Sequence, residues 1–239
     1  MHATNIRAVS FDVWVTLIRS DPGFKPRRNE DLRLRFAPHL DSVVFDSAVR
    51  AYDKKADVLA EKTGSDYGFV DRLALLFNGL EVPFDPSSDA VEEAYVEQER
   101  LARLLHPRPY HADLPEMLRD LSSVMPLAVT SNTGMLPGTL MRRLLDQAGF
   151  AGVFTHFTFS DEVGVNKPKP GIFAHMLTGL SSTIPTLAAA EVLHVGDNPV
   201  ADGHGATAFG MQAALVNTTD VVSAPVDAFV KAFLLKVRR

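Results

Sequence analysis

The sequence predicts an α/β fold: a parallel β-sheet between two layers of helices, with a helical insertion after the first strand. Three observations point to it. Short apolar, β-branched runs alternate with helical stretches. The interval 18–109 breaks that rhythm and carries helical patterns with no convincing strand. Polar, carboxylate-bearing loops follow the apolar runs, as ligand loops follow the strands of open α/β sheets.

The first strand is expected over Ala8–Phe11, the second over Leu127–Thr130 and the third over Val153–Phe159. Val192–Val195 and Ala213–Val216 make a fourth and fifth. Helices are expected over Pro115–Ser122, Gly138–Ala148, Gly171–Leu180, Asp202–Phe209 and Val226–Val237. Pro115 suits the first turn of its helix, and Gly149 suits a stop. Within the insertion, helical patterns cover Ser47–Glu61, Phe69–Phe77 and Ser88–Leu105. In the last of these Val91, Tyr95, Leu101 and Leu105 are spaced to share one side. Pro107 and Pro109 mark the return linker. The expected division is a core domain of residues 1–17 and 110–239 with a helical cap of residues 18–109.

Composition narrows the function. The 239 residues are 46% hydrophobic and 22% charged, with a formal charge of −5. That is ordinary globular composition, with no basic footprint for nucleic acid and no polybasic membrane patch. There are no cysteines, which excludes disulfides and thiolate chemistry. Arg7 and Asp12 interrupt the apolar start, so it reads as neither a signal peptide nor a membrane span. A cytoplasmic protein is the expectation, and oligomeric state is left open.

Four loops carry the chemistry. Asp12-Val13-Trp14-Val15-Thr16 follows the first strand and Ser131-Asn132-Thr133 the second. The stretch from Ser160 to Pro170 contains Asn166-Lys167-Pro168, and the fourth loop reads Gly196-Asp197-Asn198-Pro199-Val200-Ala201-Asp202. Together they supply carboxylates, a hydroxyl, an amide and one ammonium. Carboxylates alone repel a phosphate, and a magnesium ion among them inverts that field. A carboxylate can attack phosphorus, while hydroxyl and ammonium groups hold the peripheral oxygens.

This ordered set resembles the four motifs of the haloacid-dehalogenase-like superfamily, in its helical-cap subgroup. The resemblance covers the whole chain. It implies a three-layer, Rossmann-like core under the cap and a hydrolase acting on a small phosphorylated or otherwise anionic molecule. By the same resemblance Asp12 is the nucleophile, Lys167 pairs with nucleophile and substrate, and Ser131 holds phosphate. Asn132 and Thr16 are candidates for the substrate side, each with an equal structural reading, Asn132 as a turn residue and Thr16 in a structural hydrogen bond. Magnesium is held by Asp12, Asp197, Asp202 and the Trp14 position through its backbone carbonyl; Trp14 also walls the pocket. Asp202 has a second reading, as helix cap or support for the ligands.

One position departs from the pattern. Phosphatases of the superfamily carry a second aspartate, an acid and base, two residues after the nucleophile. Trp14 stands there, and an indole N–H cannot shuttle protons near neutral pH. Val15 replaces the glycine or asparagine common at the next position. Three readings follow: a metal-dependent phosphatase or phosphotransferase, a 2-haloacid dehalogenase-type hydrolase, and an anion-binding protein with little turnover. His204 is weighed as a replacement base and set aside. Arg27, Arg28, His106 and Arg108 could reach a substrate from the insertion and its hinge, but surface solvation is the expectation for each.

Overall fold

A computed structural model describes residues 6–218 and 223–237. In chain order the elements begin with β1 (Ala8–Phe11), β2 (Ile18–Arg19), α1 (Phe24–Phe36), α2 (Ser42–Thr63), α3 (Phe69–Gly79) and α4 (Asp89–Leu104). They continue with β3 (Arg108–Pro109), α5 (Leu114–Ser122), β4 (Leu127–Ser131), α6 (Gly138–Leu145), β5 (His156–Phe159) and α7 (Ser160–Val163). The last are α8 (Pro170–Ser181), β6 (Val192–Gly196), α9 (Gly205–Ala208), β7 (Gln212–Leu215) and α10 (Val226–Val237).

Five strands form a parallel sheet in the order β5-β4-β1-β6-β7. β1 is buried on both faces, which is why its sequence is apolar apart from Ser10, without an exposed polar face. Val9 and Phe11 face the apolar cluster that holds α5, α6 and α10. Ala8 joins the opposite cluster with Ile172, Phe173 and Met176 of α8 and Ala206 of α9. The fold is therefore three-layered. Because β1 pairs with β4 on one side and β6 on the other, the chain reverses its winding direction at the centre of the sheet. A crevice opens beyond the carboxyl ends of strands at such a point.

The insertion leaves and returns through the antiparallel pair of β2 and β3, sealed by the Tyr110 N–H donating to the Leu17 carbonyl at 2.8 Å. Its helices bury their own cluster, including Phe45, Val49, Leu73, Phe77 and Val91, with Met135 entering from the core. Asp41 caps α2 by accepting from the Val43 and Val44 N–H groups, and Gly64 ends it at φ 83°.

Several expectations needed correction. The interval 18–109 does hold strands, but two-residue ones too short to show a pattern. Helix α1 escaped the periodicity argument because polar Arg28 and Asn29 fill two of its buried positions. The third strand begins only at His156, since residues through Gly152 are spent on a turn closed by the Val153 N–H and the Phe150 carbonyl. α6 stops at Leu145 and a π-turn over Asp146–Phe150 follows, with Gly149 at φ 96°. The helical turns after β6 start at Pro199, because the Asn198 side chain accepts from the Val200 and Ala201 N–H groups. β7 runs from Gln212 to Leu215, and Val216 continues into a bridge with Ala224.

Candidate active site

Asp12 is the first residue past β1, and its N–H donates to the Val195 carbonyl of β6 at 2.9 Å. That bond ties the start of its loop to the neighbouring strand. Its carboxyl is buried, and Oδ1 accepts from Ser131 Oγ at 2.9 Å and from Lys167 Nζ at 2.7 Å. Ser131 is the last residue of β4, one residue beyond the position that the β1–β4 register sets opposite Asp12, so both lie at the same edge of the sheet. Lys167 Nζ also donates to Asp202 Oδ1 at 2.6 Å. One buried ammonium is thus shared by two carboxylates. Asn132 holds the Lys167 backbone from both sides: its Oδ1 accepts from the Lys167 N–H at 2.7 Å, and its Nδ2 donates to the Lys167 carbonyl at 3.0 Å. Asn132 therefore orients the lysine loop.

Asp202 is the most heavily bonded carboxylate. Besides Lys167, its Oδ1 meets His194 Nε2 at 3.0 Å, and its Oδ2 accepts from the Asn198 N–H at 3.0 Å. His194 lies in β6 and is held from below by Ser10 Oγ at 3.1 Å, which in turn meets Thr130 Oγ1 at 2.8 Å. This polar ladder crosses the three central strands directly beneath the site. Gly196 makes the arrangement possible, because a Cβ there would lie 2.2 Å from Asp202 Cγ. The glycine is required by close approach rather than by its φ.

The charges divide unequally. Burial pushes the Asp12 carboxyl up, Lys167 pulls it down, and Asp202 adds to the rise; the net direction is upward. Burial also opposes ionisation of Asp202, yet Lys167 and His194 together hold it below the ordinary carboxylate range. Burial opposes the Lys167 charge, but Asp12 and Asp202 keep it firmly protonated. Asp197 is pushed up to about 7 by burial and by the neighbouring Asp12 and Asp202 charges.

A divalent cation fits this set. Asp12, Asp197 and Asp202 each offer an oxygen, all within 4.8 Å of one another. Oxygens bound to one magnesium ion at about 2.1 Å lie about 3–4 Å apart, so small side-chain shifts suffice. Three carboxylates face one ammonium, and Asp197, which has no bond to that ammonium, is pushed up by burial and by its charged neighbours. Asp202 has one lone pair free on Oδ2, so its part in a metal site is weighted toward supporting the ligands.

The site opens into a cleft of about 540 Å³ between the core loops and helices α1 to α3. This is the size that holds a whole small ligand. Trp14 lines the cleft and packs against the core cluster. Val15 beside it adopts φ 63°, a strained conformation for a β-branched residue. Thr16 is not among the cleft-lining residues. The tight turn in which Leu17 and Ile18 both donate to the Val13 carbonyl leaves it fully buried, with Oγ1 unpartnered among the described residues.

The insertion is pinned over the cleft by the end of α2 and the loop after it. Asn198 Nδ2 donates to Glu61 Oε1 at 2.8 Å, the Asn166 N–H donates to the Gly64 carbonyl at 2.9 Å, and Ser160 Oγ donates to Asp66 Oδ1 at 2.7 Å. Arg28, expected to be solvated, is buried and lines the cleft. Arg72 does too, and sequence reasoning did not single it out. His194 was also missed, although a histidine inside an apolar strand just before Gly196-Asp197 was a usable signal. His204 is exposed, and His106, Arg108 and Arg27 do not reach the cleft.

Comparison with curated proteins gives no match. Among solved structures, a HAD phosphatase from Thermococcus onnurineus aligns with TM-score 0.65 at 18% identity over 95% of this chain and 98% of that one. The magnesium-bound HAD-hydrolase YfnB from Bacillus subtilis aligns with TM-score 0.64 at 18% identity over 89% of both chains. L-2-haloacid dehalogenase from Xanthobacter autotrophicus gives 0.58 at 22% identity, over 88% of this chain and 77% of that one. At such identities these likenesses speak to the fold alone. The sequence model of the haloacid dehalogenase-like hydrolases matches residues 6–210, and the chain belongs to that family.

Proposed function

We propose that the protein is a magnesium-dependent phosphatase or phosphotransferase for small phosphoesters, working through an aspartyl-phosphate on Asp12, with segment 18–109 as its cap. The observation that carries this reading is the Asp12–Lys167–Asp202 arrangement beside Asp197. It combines a nucleophile, a fixed ammonium and a carboxylate set of the right spacing for a divalent cation.

Asp12 Oδ1 is anchored by Ser131 and Lys167, leaving Oδ2, which has no donor among the described residues, to attack phosphorus. The P–O bond to the leaving group breaks as the Asp12 O–P bond forms, and water later releases phosphate and regenerates the carboxylate. Lys167 and Ser131 hold the peripheral phosphoryl oxygens, where charge builds in the transition state. Asp12 and Asp197, supported by Asp202, would hold the magnesium ion, which when bound polarises the phosphoryl group and offsets the carboxylate field. Trp14 supplies no proton, so substrates whose leaving oxygen departs as a weak base are favoured. General acid help is worth about 10²–10⁴-fold, so its loss slows the reaction without removing the other devices.

The test is incubation with acyl phosphates and aryl phosphates in magnesium. A labile phosphoryl adduct should form on Asp12 and disappear in Asp12→Asn. Trp14→Asp should raise turnover of alkyl phosphates. No adduct and no turnover with any donor would end this reading.

A second reading, a 2-haloacid dehalogenase, is favoured by Trp14, because a departing halide needs no proton. It requires halide release from 2-haloacids that persists in chelator, and a panel without release removes it.

A further inference from the structure

The cleft contains a second cationic group whose placement the proposed phosphoryl chemistry does not use. Arg28 of α1 is 4% exposed, lines the same cleft as Asp12 and Lys167, and stacks its guanidinium 5.8 Å from the Phe24 ring centroid. Its bonds go to a neutral amide: Nε and Nη2 donate to Asn29 Oδ1 at 3.0 and 2.8 Å. Its ion-pair partner, Asp53, stands 3.7 Å from Nη2, beyond hydrogen-bond reach. Nη1 has no acceptor among the described residues.

Arg72 is the contrast. It is equally buried and lines the same cleft, but its three nitrogens are all engaged: Nε by the Tyr67 carbonyl at 2.7 Å, Nη1 by the Asp53 carbonyl at 3.3 Å, and Nη2 by Asp57 at 2.6 Å. Arg72 is a structural tie, whereas Arg28 keeps a donor pair in reserve. Burying a guanidinium whose counter-ion is loose and shared, as Asp53 is with Arg72 Nη1 at 3.6 Å, is costly, and the planar fork suits a carboxylate or phosphate. Arg19 and Lys25 also line the cleft, from β2 and from the turn of α1 before Arg28.

We propose that Arg28 receives a second anionic group of the substrate, so that the natural substrate is a phosphoester carrying a carboxylate or a further phosphate remote from the reacting one. This rests on the phosphoester reading for the reacting group. Oriented this way, the substrate bridges cap and core. Lys25 and Arg19 add attraction at the mouth of the cleft, while Arg28 supplies the directional bond.

The test compares the phosphate monoester of 3-hydroxypropanoate with propyl phosphate and with 1,3-propanediol bisphosphate. Binding is measured by calorimetry on Asp12→Asn in magnesium, and turnover on the parent protein. One or both doubly anionic esters should bind at least about tenfold more tightly than propyl phosphate, the scale of a charge-assisted hydrogen bond on a buried group. The two esters separate carboxylate from phosphate recognition. The preference should fall to within threefold in Asp12→Asn/Arg28→Met, and Arg28→Lys should restore only part of it. Thermal unfolding of the double variant checks its fold, and Lys25→Gln, an exposed change, should trim the preference modestly.

Equal binding of all three esters, or a preference that survives Arg28→Met, overturns the proposal. So does a lack of binding by any of them. Turnover without discrimination removes this inference and leaves the phosphatase reading; discrimination without turnover does the reverse.

Discussion

Lys167→Met should strongly destabilise the metal-free protein at neutral pH. Met keeps the length of the side chain and removes the ammonium that Asp12 and Asp202 share at 2.7 and 2.6 Å. A unit charge pair at about 4 Å and an effective dielectric near 20 is worth about 4 kcal/mol, and two such pairs are lost. Against this, the lysine no longer has to be desolvated. Breaking a buried pair by removing one partner costs about 3–5 kcal/mol net, and that is the expected loss here. The assay is urea unfolding in chelator at pH 7.5.

The same experiment at lower pH supplies the internal check. Asp12 already stands above its ordinary range, and Asp197 is raised to about 7 from 3.8. In the variant both take up protons more readily when folded than when unfolded, so folding gains stability as pH falls. The gap to the parent should narrow between about pH 7 and about pH 4. Magnesium at pH 7.5 should recover part of it. A variant within about 0.5 kcal/mol of the parent at every pH would refute the charged, dry cluster on which this reasoning depends.

Three further predictions follow from single features. Gly196→Ala places a Cβ 2.2 Å from Asp202 Cγ, so it should cost about 1–3 kcal/mol by overpacking and weaken metal affinity, both readable by calorimetry. The metal-free parent should lose stability as pH rises through about 7, because Asp197, raised when folded, must then ionise; a melting series with and without magnesium should show the loss only in chelator. Val15→Asn, at an exposed position with φ 63°, should raise stability by about 0.5–1 kcal/mol, and a lowered melting point would show that Val15 is not strained.

What could be read from the chain alone is what depends on local order. The largely apolar runs Ala8–Phe11, Leu127–Thr130 and Val192–Val195 are buried on both faces, so their composition announces a parallel sheet whatever surrounds them. Asp12, Ser131 and Asp197 lie at or just past strand ends, and a parallel sheet gathers all its carboxyl ends at one edge. Their convergence therefore followed from strand assignment. Lys167 comes from a loop, but its flanking motif carried it.

Distances, partners and charge states needed the tertiary structure. Nothing local distinguishes Asp202, which takes Lys167, His194 and a backbone N–H, from Asp197, which is left to be pushed up by its neighbours. Thr16 stands four residues from Asp12 yet is turned away from the cleft by one tight turn. The buried arginines are the clearest case. Arg28 and Arg72 look like surface charges on their own helices, because burial is a property of what packs against a residue and not of its neighbours in sequence. Only the closing of the insertion over the sheet decided which of the two would be tied down and which would face the cleft with a donor to spare.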